Sequence, residues 1–326
     1  MKLTINLITW NGAKFIPALF NSLRNQTFKN WELIIIDNGS TDGTLAIIKK
    51  ELVNFAASCR LIENNINLGF AAAHNQAFGL SEAEYFLVLN QDIVLAPDCL
   101  EKLVDFLDKN LEAAVVAPAL YKPVIINCHS ERSEDYLSGR QIDSLGLKIW
   151  RSRRVTEITE LKSDDNAFEV FGVSCAVAMF RRPAATEALI DGELFDSSFF
   201  SYQEDIDLAW RLRRLGFKAF CLPSATATHA RTAAGNGVGD LAAAKNKKNQ
   251  PAMVRVNSYK NHLAAIYKNE DGRNFILDFL WILWYEGKKF VWFLLFDRVV
   301  LAGLKQIWQN RHELKNKRLK IKQKTK

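Results

Sequence analysis

The feature that most constrains the fold is a regular alternation of strand-like and helix-like segments over the first 120 residues. Two of the strand-like segments, residues 33–36 and 86–89, are apolar on both faces, which is typical of central parallel strands covered by helices. The alternation predicts strands over residues 3–9, 31–37, 60–63 and 85–89, and helices over residues 13–24, 44–55, 70–80 and 97–109. The chain is therefore predicted to be an α/β protein whose first half is Rossmann-like.

Each of these predicted strands ends in polar residues. The runs are Thr9-Trp10-Asn11, Asp37-Asn38-Gly39-Ser40, Asn64-Asn65 and Asn90-Gln91-Asp92. Ligands of open α/β sheets bind outside the carboxyl ends of the strands. We therefore expect a ligand site at this edge of the sheet.

Asp37 ends an apolar strand and precedes a turn that leads into a helix. A carboxylate fixed there could accept the imide N–H of uracil or thymine, while the turn lets the backbone approach a nucleotide. The alternative is an ordinary strand-to-helix turn in which Ser40 or Asp42 caps the helix. Both interpretations stay open on these residues alone.

Asn67 and Gly69 lie just before the helix predicted from Phe70. Helix N-termini attract phosphate through their free N–H groups and their dipole. Ordinary helix capping explains the two residues equally well.

Asn90 and Asp92 lie two residues apart on an extended segment, so both side chains can face one ligand. One carboxylate suffices for a Mg²⁺ ion that takes its other ligands from water and substrate phosphates. A polar loop before Pro97 is the structural alternative. His229 could ligate a metal or stabilise a diphosphate, although a lone histidine more often does neither.

Glu204 and Asp205 open a predicted helix over residues 204–215 and follow three aromatic residues. Acidic residues in a first turn are favoured by the helix dipole, and Asp207 with Arg211 forms a stabilising i,i+4 pair, so helix stability explains part of this pattern. Two adjacent carboxylates beside aromatic surface also suit a general base.

The positive charge of the chain is concentrated at its C-terminus. The net charge is +7, yet the last 22 residues hold nine Lys or Arg and one Glu, so the other 304 residues are nearly neutral. Before this tail, residues 275–308 are rich in Trp, Phe and Leu but interrupted by charges, which excludes a membrane-spanning helix of ~20 apolar residues. We expect helices lying on an anionic membrane surface; core-packing helices with a frayed tail are the alternative.

Other patterns exclude several classes of protein. Five scattered cysteines without a C-x-x-C pair predict neither a disulfide framework nor a cysteine zinc site, and a reducing cytosol is expected. The N-terminus does not resemble a signal peptide. A nicotinamide dehydrogenase requires G-x-G-x-x-G after the first strand, and Gly12 is the only glycine there. No nucleic-acid-binding motif is present, and the oligomeric state is not predicted.

Two later regions depart from the alternation. Residues 121–167 are irregular and charged, and we expect an insertion over or beside the sheet, after which residues 168–181 resume as strand. A strand is predicted over residues 219–222. Residues 232–250 are rich in Gly, Ala, Asn and Lys and are expected to form a mobile loop that closes over a ligand.

Taken in order, these segments resemble the family 2 inverting glycosyltransferases of GT-A fold, a mostly parallel sheet flanked by helices. The resemblance rests on the strand-end runs above, on Asn67-Leu68-Gly69-Phe70 with Asn75, and on Glu204-Asp205-x-Asp207-Leu208 with Arg211, Gly216 and His229. Ile142-Asp143-Ser144-Leu145-Gly146 adds a likeness to bacterial rhamnosyltransferases of surface-polysaccharide synthesis.

The resemblance implies a role for each matching residue. Asp37 would bind the base of a UDP- or dTDP-sugar, Asp205 would be the catalytic base with Glu204 beside it, and Asp92 with His229 would hold Mg²⁺ or Mn²⁺. The remaining donor-binding positions would be Thr9, Asn11, Asn67, Gly69, Asn75 and Asn90. The acceptor would be a glycan or a lipid-linked glycan. The family's metal motif begins with aspartate where this chain has Asn90, which reduces the charge at the metal by one.

The resemblance also implies an organisation for the chain. Residues 1–120 would bind the nucleotide sugar, residues 121–252 would form the acceptor and catalytic half of the same domain, and residues 253–326 would associate with the membrane. The protein would then be cytoplasmic and peripheral on the inner face of the bacterial membrane. A catalytically weak scaffold module at that membrane is the alternative function.

Overall fold

The computed structural model describes residues 1–123, 141–161, 166–231 and 250–325. The helices are α1 (Ile16–Arg24), α2 (Thr44–Leu52), α3 (Phe70–Phe78), α4 (Cys99–Lys109), α5 (Arg182–Glu187), α6 (Glu204–Arg214), α7 (Ala252–Asn269), α8 (Gly272–Phe296), α9 (Ala302–Gln309) and α10 (Arg311–Lys324). The strands are β1 (Leu3–Thr9), β2 (Trp31–Asp37), β3 (Ser58–Glu63), β4 (Tyr85–Asn90), β5 (Ile93–Leu95), β6 (Ala113–Tyr121), β7 (Ile142–Ser144), β8 (Leu147–Ile149), β9 (Val155–Glu157), β10 (Phe168–Val170), β11 (Val177–Arg181) and β12 (Lys218–His229).

A mixed, mostly parallel sheet forms the centre of the molecule. Its strand order is β10-β12-β6-β11-β4-β1-β2-β3, with β5 beside β12 and β7 beside β6. β4, β1, β2 and β3 are parallel, β6 and β12 are parallel, and β11 runs antiparallel between the two groups. The predicted α/β fold with a mostly parallel sheet is confirmed.

The central strands are buried because their apolar side chains face helices on both sides. Leu33 to Ile36 of β2 and Phe86 to Leu89 of β4 are fully buried. One layer of the core contains Leu19 and Phe20 of α1. The opposite layer contains Ala71 of α3 and Leu208 of α6. The sheet is thus a two-sided core whose polar strand ends remain at its edge.

Most of the predicted elements are present with shifted ends. Helix α1 begins at Ile16 rather than residue 13 because Pro17 lies in its first turn, where its missing N–H costs nothing. The single strand predicted over residues 168–181 is wrong. β10 and β11 pair with different neighbours, and between them the Phe171 N–H donates to the Leu147 carbonyl at 3.0 Å.

β12 is much longer than the four residues predicted. It continues through Pro223 to His229, and its pairing with β6 shifts register between Leu222 and Thr226. The shift accommodates a proline, which has no N–H to donate to the ladder. Of the predicted insertion, the described part contributes β7 to the main sheet and forms the two-stranded sheet β8-β9. The predicted loop at residues 232–250 lies outside the described residues except for Gln250.

The C-terminal residues form helices that pack against α6. Phe199 makes a small core with Ala264 and Ala265 of α7 and Leu314 of α10. The basic tail was expected to lie on a membrane or to fray, but residues 311–324 are helical and Lys317 is buried among carboxylates. The tail is therefore partly an element of the fold.

Helix α8 is 25 residues long and largely exposed, and Ile282 is its one buried residue. In the part of the chain that the structure describes, we find no helix whose length and apolarity suit a membrane crossing. Most of the apolar side chains of α8 are uncovered in the described structure.

Candidate active site

Three predicted ligand positions lie at one edge of the sheet. β1 is parallel to both β2 and β4, and the register pairs Thr9 with Asp37 and Ile8 with Asn90. The carboxyl ends of the three strands therefore meet, as the alternation of strands and helices predicts.

Asp37 is held by two hydroxyl side chains. Its Oδ1 accepts hydrogen bonds from Thr9 Oγ1 at 2.9 Å and from Ser40 Oγ at 2.6 Å, and its Oδ2 accepts one from the Ser40 N–H at 3.1 Å. Asp37 is only 2% exposed. Thr9 therefore orients the carboxylate of Asp37, and Ser40 does not cap helix α2.

Asn11 connects the loop after β1 to the loop after β2. Its N–H donates to Ser40 Oγ at 3.0 Å, and its Oδ1 accepts a hydrogen bond from the Thr41 N–H at 2.8 Å. Its backbone is left-handed, with φ of 48°, a conformation that asparagine tolerates better than most residues. Asn11 thus supports the wall of the site around Asp37.

Asn38 joins the loops after β2 and β3. Its side-chain N–H groups donate to Asn67 Oδ1 at 2.9 Å and to the Gly69 carbonyl at 3.2 Å, and its Oδ1 accepts a hydrogen bond from the Leu68 N–H at 3.1 Å. Asn38 belongs to the strand-end run Asp37-Asn38-Gly39-Ser40, but the sequence alone predicted no role for it. Its position directly after Asp37 at a strand end was the available signal.

The N-terminus of α3 is in contact with another part of the protein. The Ala71 N–H donates to the Phe200 carbonyl at 3.3 Å, and a Cβ on Gly69 would lie 2.5 Å from that oxygen. Glycine at position 69 therefore allows the segment before α6 to approach. One first-turn N–H predicted to be free for phosphate is occupied by the chain itself.

Asn75 binds backbone rather than an open cleft. Its Oδ1 accepts hydrogen bonds from the N–H groups of Leu194 and Phe195 at 3.1 and 2.9 Å, and its Nδ2 donates to the Phe195 carbonyl at 2.7 Å. These contacts connect α3 to the segment that precedes α6. The predicted nucleotide contacts of Asn67, Gly69 and Asn75 stay predictions.

Asp92 and His229 lie side by side, as the sequence analysis expected of metal ligands. His229 Nε2 is 3.6 Å from Asp92 Oδ1, and its Nδ1 is 3.0 Å from Asp143 Oδ2. Burial alone would lower the pKa of His229, but Asp143 and Asp92 outweigh burial and raise the pKa to about 9. Arg231 in turn donates to Asp143, with Nε 2.6 Å from Oδ1. The imidazole is therefore oriented by a carboxylate on its far side.

Glu204 and Asp205 lie at the first turn of α6. Glu204 is 8% exposed, and its Oε2 is buried without a hydrogen-bond partner in the described structure. Asp205 Oδ1 accepts a hydrogen bond from the Ile206 N–H at 2.8 Å. Burial raises the pKa of both carboxyl groups, and the charge of Asp205 raises that of Glu204 further. The adjacent pair therefore holds a proton more tightly than two isolated carboxyl groups would.

Glu157 is a site residue that the sequence analysis missed. Ser144 Oγ donates to its carboxylate, and Arg231 Nη2 lies 3.3 Å from its Oε1. Burial raises the pKa of Glu157 to about 7, and the charge of Asp205 contributes to the increase. Glu157 therefore contacts Arg231, which holds Asp143, and lies close enough to Asp205 for the charge of Asp205 to affect its pKa. It lies in the irregular region, where no periodic pattern singled it out.

Asp207 forms the predicted ion pair with Arg211, with Oδ2 3.1 Å from Nε. Both side chains are buried, and Asp207 is fully so. The pair belongs to a buried network beneath the site rather than to its surface.

In the ranges that the structure describes, no group of three or more His, Cys, Asp or Glu side chains is arranged to hold a metal ion. Asp92 and His229 nevertheless offer a carboxylate oxygen and an imidazole nitrogen that face each other, and a metal bound between them would displace the proton that the raised pKa places on the imidazole. These two donors suit Mn²⁺ or Mg²⁺ when the other ligands are water and phosphate oxygens.

Comparisons with known proteins agree with this fold. Residues 4–187 match the family model described as glycosyl transferase family 2. An N-acetylglucosaminyl-diphospho-decaprenol L-rhamnosyltransferase of Mycobacterium tuberculosis is 26% identical over 70% of this chain and 75% of that protein. An uncharacterized glycosyltransferase of Haemophilus influenzae is 33% identical over 33% of each chain, so only a third of that relative is matched.

Two solved structures share the fold. GalNAc-T7 with UDP, GalNAc and Mn²⁺ has a TM-score of 0.61 at 12% identity and covers 82% of this chain and 48% of that one. The mannosyltransferase PcManGT from Pyrobaculum calidifontis with GDP-Man and Mn²⁺ has a TM-score of 0.56 at 16% identity and covers 94% and 75%. The fold is thus GT-A-like, as expected. Because the family model matches more than half of its residues, the chain belongs to glycosyl transferase family 2.

Proposed function

We propose that the protein is an inverting glycosyltransferase of bacterial surface-polysaccharide synthesis. It would move a sugar from a UDP- or dTDP-sugar to a hydroxyl of a glycan or lipid-linked acceptor. The observation that carries the proposal is the pair Glu204 and Asp205, two buried carboxyl groups with raised pKa values at the start of α6. The Mycobacterium tuberculosis relative, which is named for L-rhamnosyl transfer, makes rhamnose the first sugar to test.

Asp37 has one acceptor position left for the base of the donor. A carboxylate offers about four lone-pair positions, and Thr9 and Ser40 occupy three of them. The remaining one, on Oδ2, can accept the imide N–H of uracil or thymine. Thr9 then acts through Asp37 rather than by touching the nucleotide.

Asp92 and His229 would hold the divalent cation, with Asn90 beside them. Bound Mg²⁺ or Mn²⁺ supplies positive charge that stabilises the departing nucleoside diphosphate. Asp143 fixes the ring of His229 so that Nε2 points toward Asp92. Arg231 holds Asp143 in turn.

Asp205 acts as the base that takes the proton of the acceptor hydroxyl. A base is most effective when its pKa lies near the working pH, and burial moves the pKa of Asp205 in that direction. Burial and mutual repulsion favour one shared proton on the adjacent pair of Glu204 and Asp205. Inversion needs a single displacement and no covalent intermediate.

The activity is tested by donor turnover with Mn²⁺ and purified protein, comparing wild type with Asp205→Asn. Loss of a general base lowers the rate by about 10²- to 10⁴-fold. Asp191→Asn is the matched control, since Asp191 is exposed and pairs with Lys320 at the surface. Turnover unchanged in Asp205→Asn refutes the base assignment. Absence of turnover with every UDP- and dTDP-sugar in the wild type favours the scaffold interpretation.

We further propose that α8 lies on the anionic surface of the inner membrane. Its outward side chains are each more than half exposed: Ile276, Leu277, Leu280, Leu283, Trp284, Val291 and Leu295. They recur along one face of the helix over about five turns. An apolar surface of this extent marks an interaction site.

The acidic residues of α8 face the protein instead. Asp278 accepts hydrogen bonds from Arg151 at 2.7 Å and Arg153 at 2.8 Å, and Glu286 pairs with His262 at 2.7 Å. The outward face is therefore free of negative charge among its described residues. Trp and Leu on this face, with exposed Lys288 and Arg298 nearby, suit the interface of an anionic bilayer.

Liposome flotation tests the membrane proposal. Deleting residues 275–326 would be a poor experiment, because α10 packs against the catalytic domain through Lys317. Ile276→Glu with Leu280→Glu and Trp284→Glu should abolish flotation with anionic liposomes. Val53→Glu with Leu111→Glu is the control, since both residues are 77% exposed elsewhere on the molecule. Equal flotation of the two variants would reject the membrane surface.

A further inference from the structure

The segment before the two carboxylates has an unusual backbone. Phe200, Tyr202 and Gln203 have φ values of 62°, 72° and 72°, and none of them is glycine. Residues other than glycine rarely adopt this left-handed region of φ, and those held there need surrounding contacts that impose the conformation. The segment ends where Glu204 and Asp205 begin α6, so its path decides where the two carboxylates point.

Asn261 of α7 supplies these contacts. Its Nδ2 carries two N–H groups and lies 2.9 Å from the carbonyl oxygen of Phe199, 3.0 Å from that of Ser201 and 2.8 Å from that of Tyr202, so one N–H is shared between two carbonyls. Asn261 is fully buried. Because all three partners are acceptors, the side-chain atom that faces them must be the amide nitrogen and not the amide oxygen. One side chain thus ties three carbonyls of the left-handed segment to a helix 60 residues away.

Helix α7 also contacts α6 directly. Asn269 Nδ2 donates to Asp207 Oδ1 at 2.7 Å, and Lys268 Nζ lies 3.0 Å from the same oxygen. The start of α6 is therefore held from the left-handed segment by Asn261 and from its own first turn by Asn269 and Lys268.

We propose that Asn261 is a positioning residue that holds residues 200–203 in their left-handed path so that Glu204 and Asp205 face the acceptor. The C-terminal helices are then part of the catalytic apparatus and not only a membrane contact. The inference rests on the proposed function, because it assigns a purpose to the path of the loop that precedes the base.

The groups that bind Asn261 are distinct from those that hold Asp37. The carbonyls that bind Asn261 belong to residues 199–202, whereas Asp37 is held by Thr9 and Ser40 at the ends of β1 and β2. Loss of Asn261 should therefore misplace the base while leaving the contacts that hold Asp37 unchanged. Loss of a residue that only stabilises the whole fold would instead disturb both together.

The test compares wild type, Asn261→Ala, Asn261→Asp and the control Asn257→Asp. Asn257 lies one turn earlier on α7 and is also buried, so the control makes the same chemical change on the same helix. Both Asn261 variants should lower kcat at least tenfold, leave the donor KM within about twofold, and shift the acidic limb of the pH profile of kcat. The control should retain the wild-type kcat. Wild-type kcat in Asn261→Ala, or equal loss in Asn257→Asp, would overturn the proposal.

A second substitution tests the physical reason. Glycine adopts positive φ without steric cost, so Gln203→Gly should restore part of the kcat lost in Asn261→Ala. Failure of Asn261→Ala to fold, without recovery when Gln203→Gly is added, would count against the proposal, because Asn261 would then serve the entire fold.

Hydrogen exchange gives a readout that does not need activity. Asn261→Ala should speed exchange in residues 199–207 and leave residues 31–44 unchanged. Faster exchange in both regions, or in neither, would contradict the proposal. If wild type transfers no sugar, the proposed function fails while this measurement still decides whether Asn261 holds the loop.

Discussion

Lys317, ten residues from the C-terminus, forms a buried ion pair with Asp196, with Nζ 2.7 Å from Oδ1. Both side chains are less than 10% exposed, and Lys268 of α7 contacts the other carboxylate oxygen. Asp196 lies in the segment that leads to Glu204 and Asp205, the carboxylates proposed to be catalytic. The end of the chain is thereby fixed to the part of the enzyme proposed to act on the acceptor.

Lys317→Met should destabilise the folded protein. Removing one partner of a buried pair costs about 3–5 kcal/mol, and we expect about 2 kcal/mol here because Lys268 still pairs with Asp196. Urea unfolding measures the change. Lys320→Met on the same helix is the control, since Lys320 is exposed and pairs only at the surface. Equal midpoints for the two variants would contradict the buried pair.

Asp196 also predicts a pH dependence of stability. Burial would raise its pKa, but the charges of Lys268 and Lys317 hold the pKa below the ordinary value of 3.8. The stabilisation is complete above pH 3.8 and is lost as the pH falls through the lowered pKa. Wild type should therefore lose more stability than Lys317→Met when the pH is reduced from 5 to 2. An equal loss of stability in wild type and Lys317→Met over this pH range would argue against the pairing.

His74 predicts a second loss of stability in acid. It is 1% exposed between Phe70 and Phe195, neither ring nitrogen has a partner in the described structure, and burial lowers its pKa to about 3. Between pH 6.5 and 3 the unfolded chain binds a proton that the folded chain does not, so stability falls as the pH falls. The loss reaches about 3 kcal/mol at pH 4, at ~1.4 kcal/mol per pKa unit.

His74→Leu should remove that part of the pH dependence, as followed by urea unfolding from pH 7 to pH 4. His312→Leu is the matched control, because His312 is exposed. An unchanged slope in His74→Leu would show that the buried imidazole does not contribute.

Asp143→Asn should weaken the metal site without touching the metal. Asp143 accepts from His229 Nδ1 and Arg231, so its loss frees the imidazole ring to turn. Substituting a residue that orients a metal-binding histidine costs about 10- to 100-fold in metal affinity or activity. The Mn²⁺ concentration for half-maximal turnover should rise by about tenfold or more. No change in that concentration would remove His229 from the metal site.

Asp37→Asn should weaken binding of the base. Asparagine keeps the shape of the side chain but turns one acceptor into a donor, which faces the imide N–H of uracil or the hydroxyls of Thr9 and Ser40. The Kd for UDP, measured by calorimetry, should rise by about tenfold, equivalent to ~1.4 kcal/mol. Thr9→Val should have a smaller effect in the same direction, because Thr9 acts through Asp37. Wild-type affinity in Asp37→Asn would place the base elsewhere.

The sequence predicted much of the sheet and the strand ends because both follow from local patterns. A short run that is apolar on both faces, such as Leu33 to Ile36, is typical of a strand inside a covered sheet, and ligands of such sheets bind at the strand ends. Asp37 and Asp92 were predicted to lie at this edge in this way, and their roles in binding stay predictions. No role was predicted for Asn38 or Glu157, because their partners come from distant loops and a single side chain carries no periodicity.

The C-terminal helices show that a run of positive charge does not by itself predict an unpacked tail. Leu314, Lys317 and Ile321 repeat at helical spacing and form the buried face of α10. A run of lysines nevertheless suggested a solvated or membrane-bound tail, since a lysine is almost never fully buried unless paired. The carboxylate that pairs with Lys317 lies 121 residues earlier and could not be identified without the fold.

A crystal structure with UDP and Mn²⁺ would decide whether Asp37, Asp92 and Asp205 form one site. We expect uracil against Asp37 Oδ2, the diphosphate and Mn²⁺ beside Asp92 and His229, and Asp205 facing the space where the sugar of a complete donor would lie. A nucleotide bound elsewhere, or Asp205 turned away from the diphosphate, would contradict this arrangement.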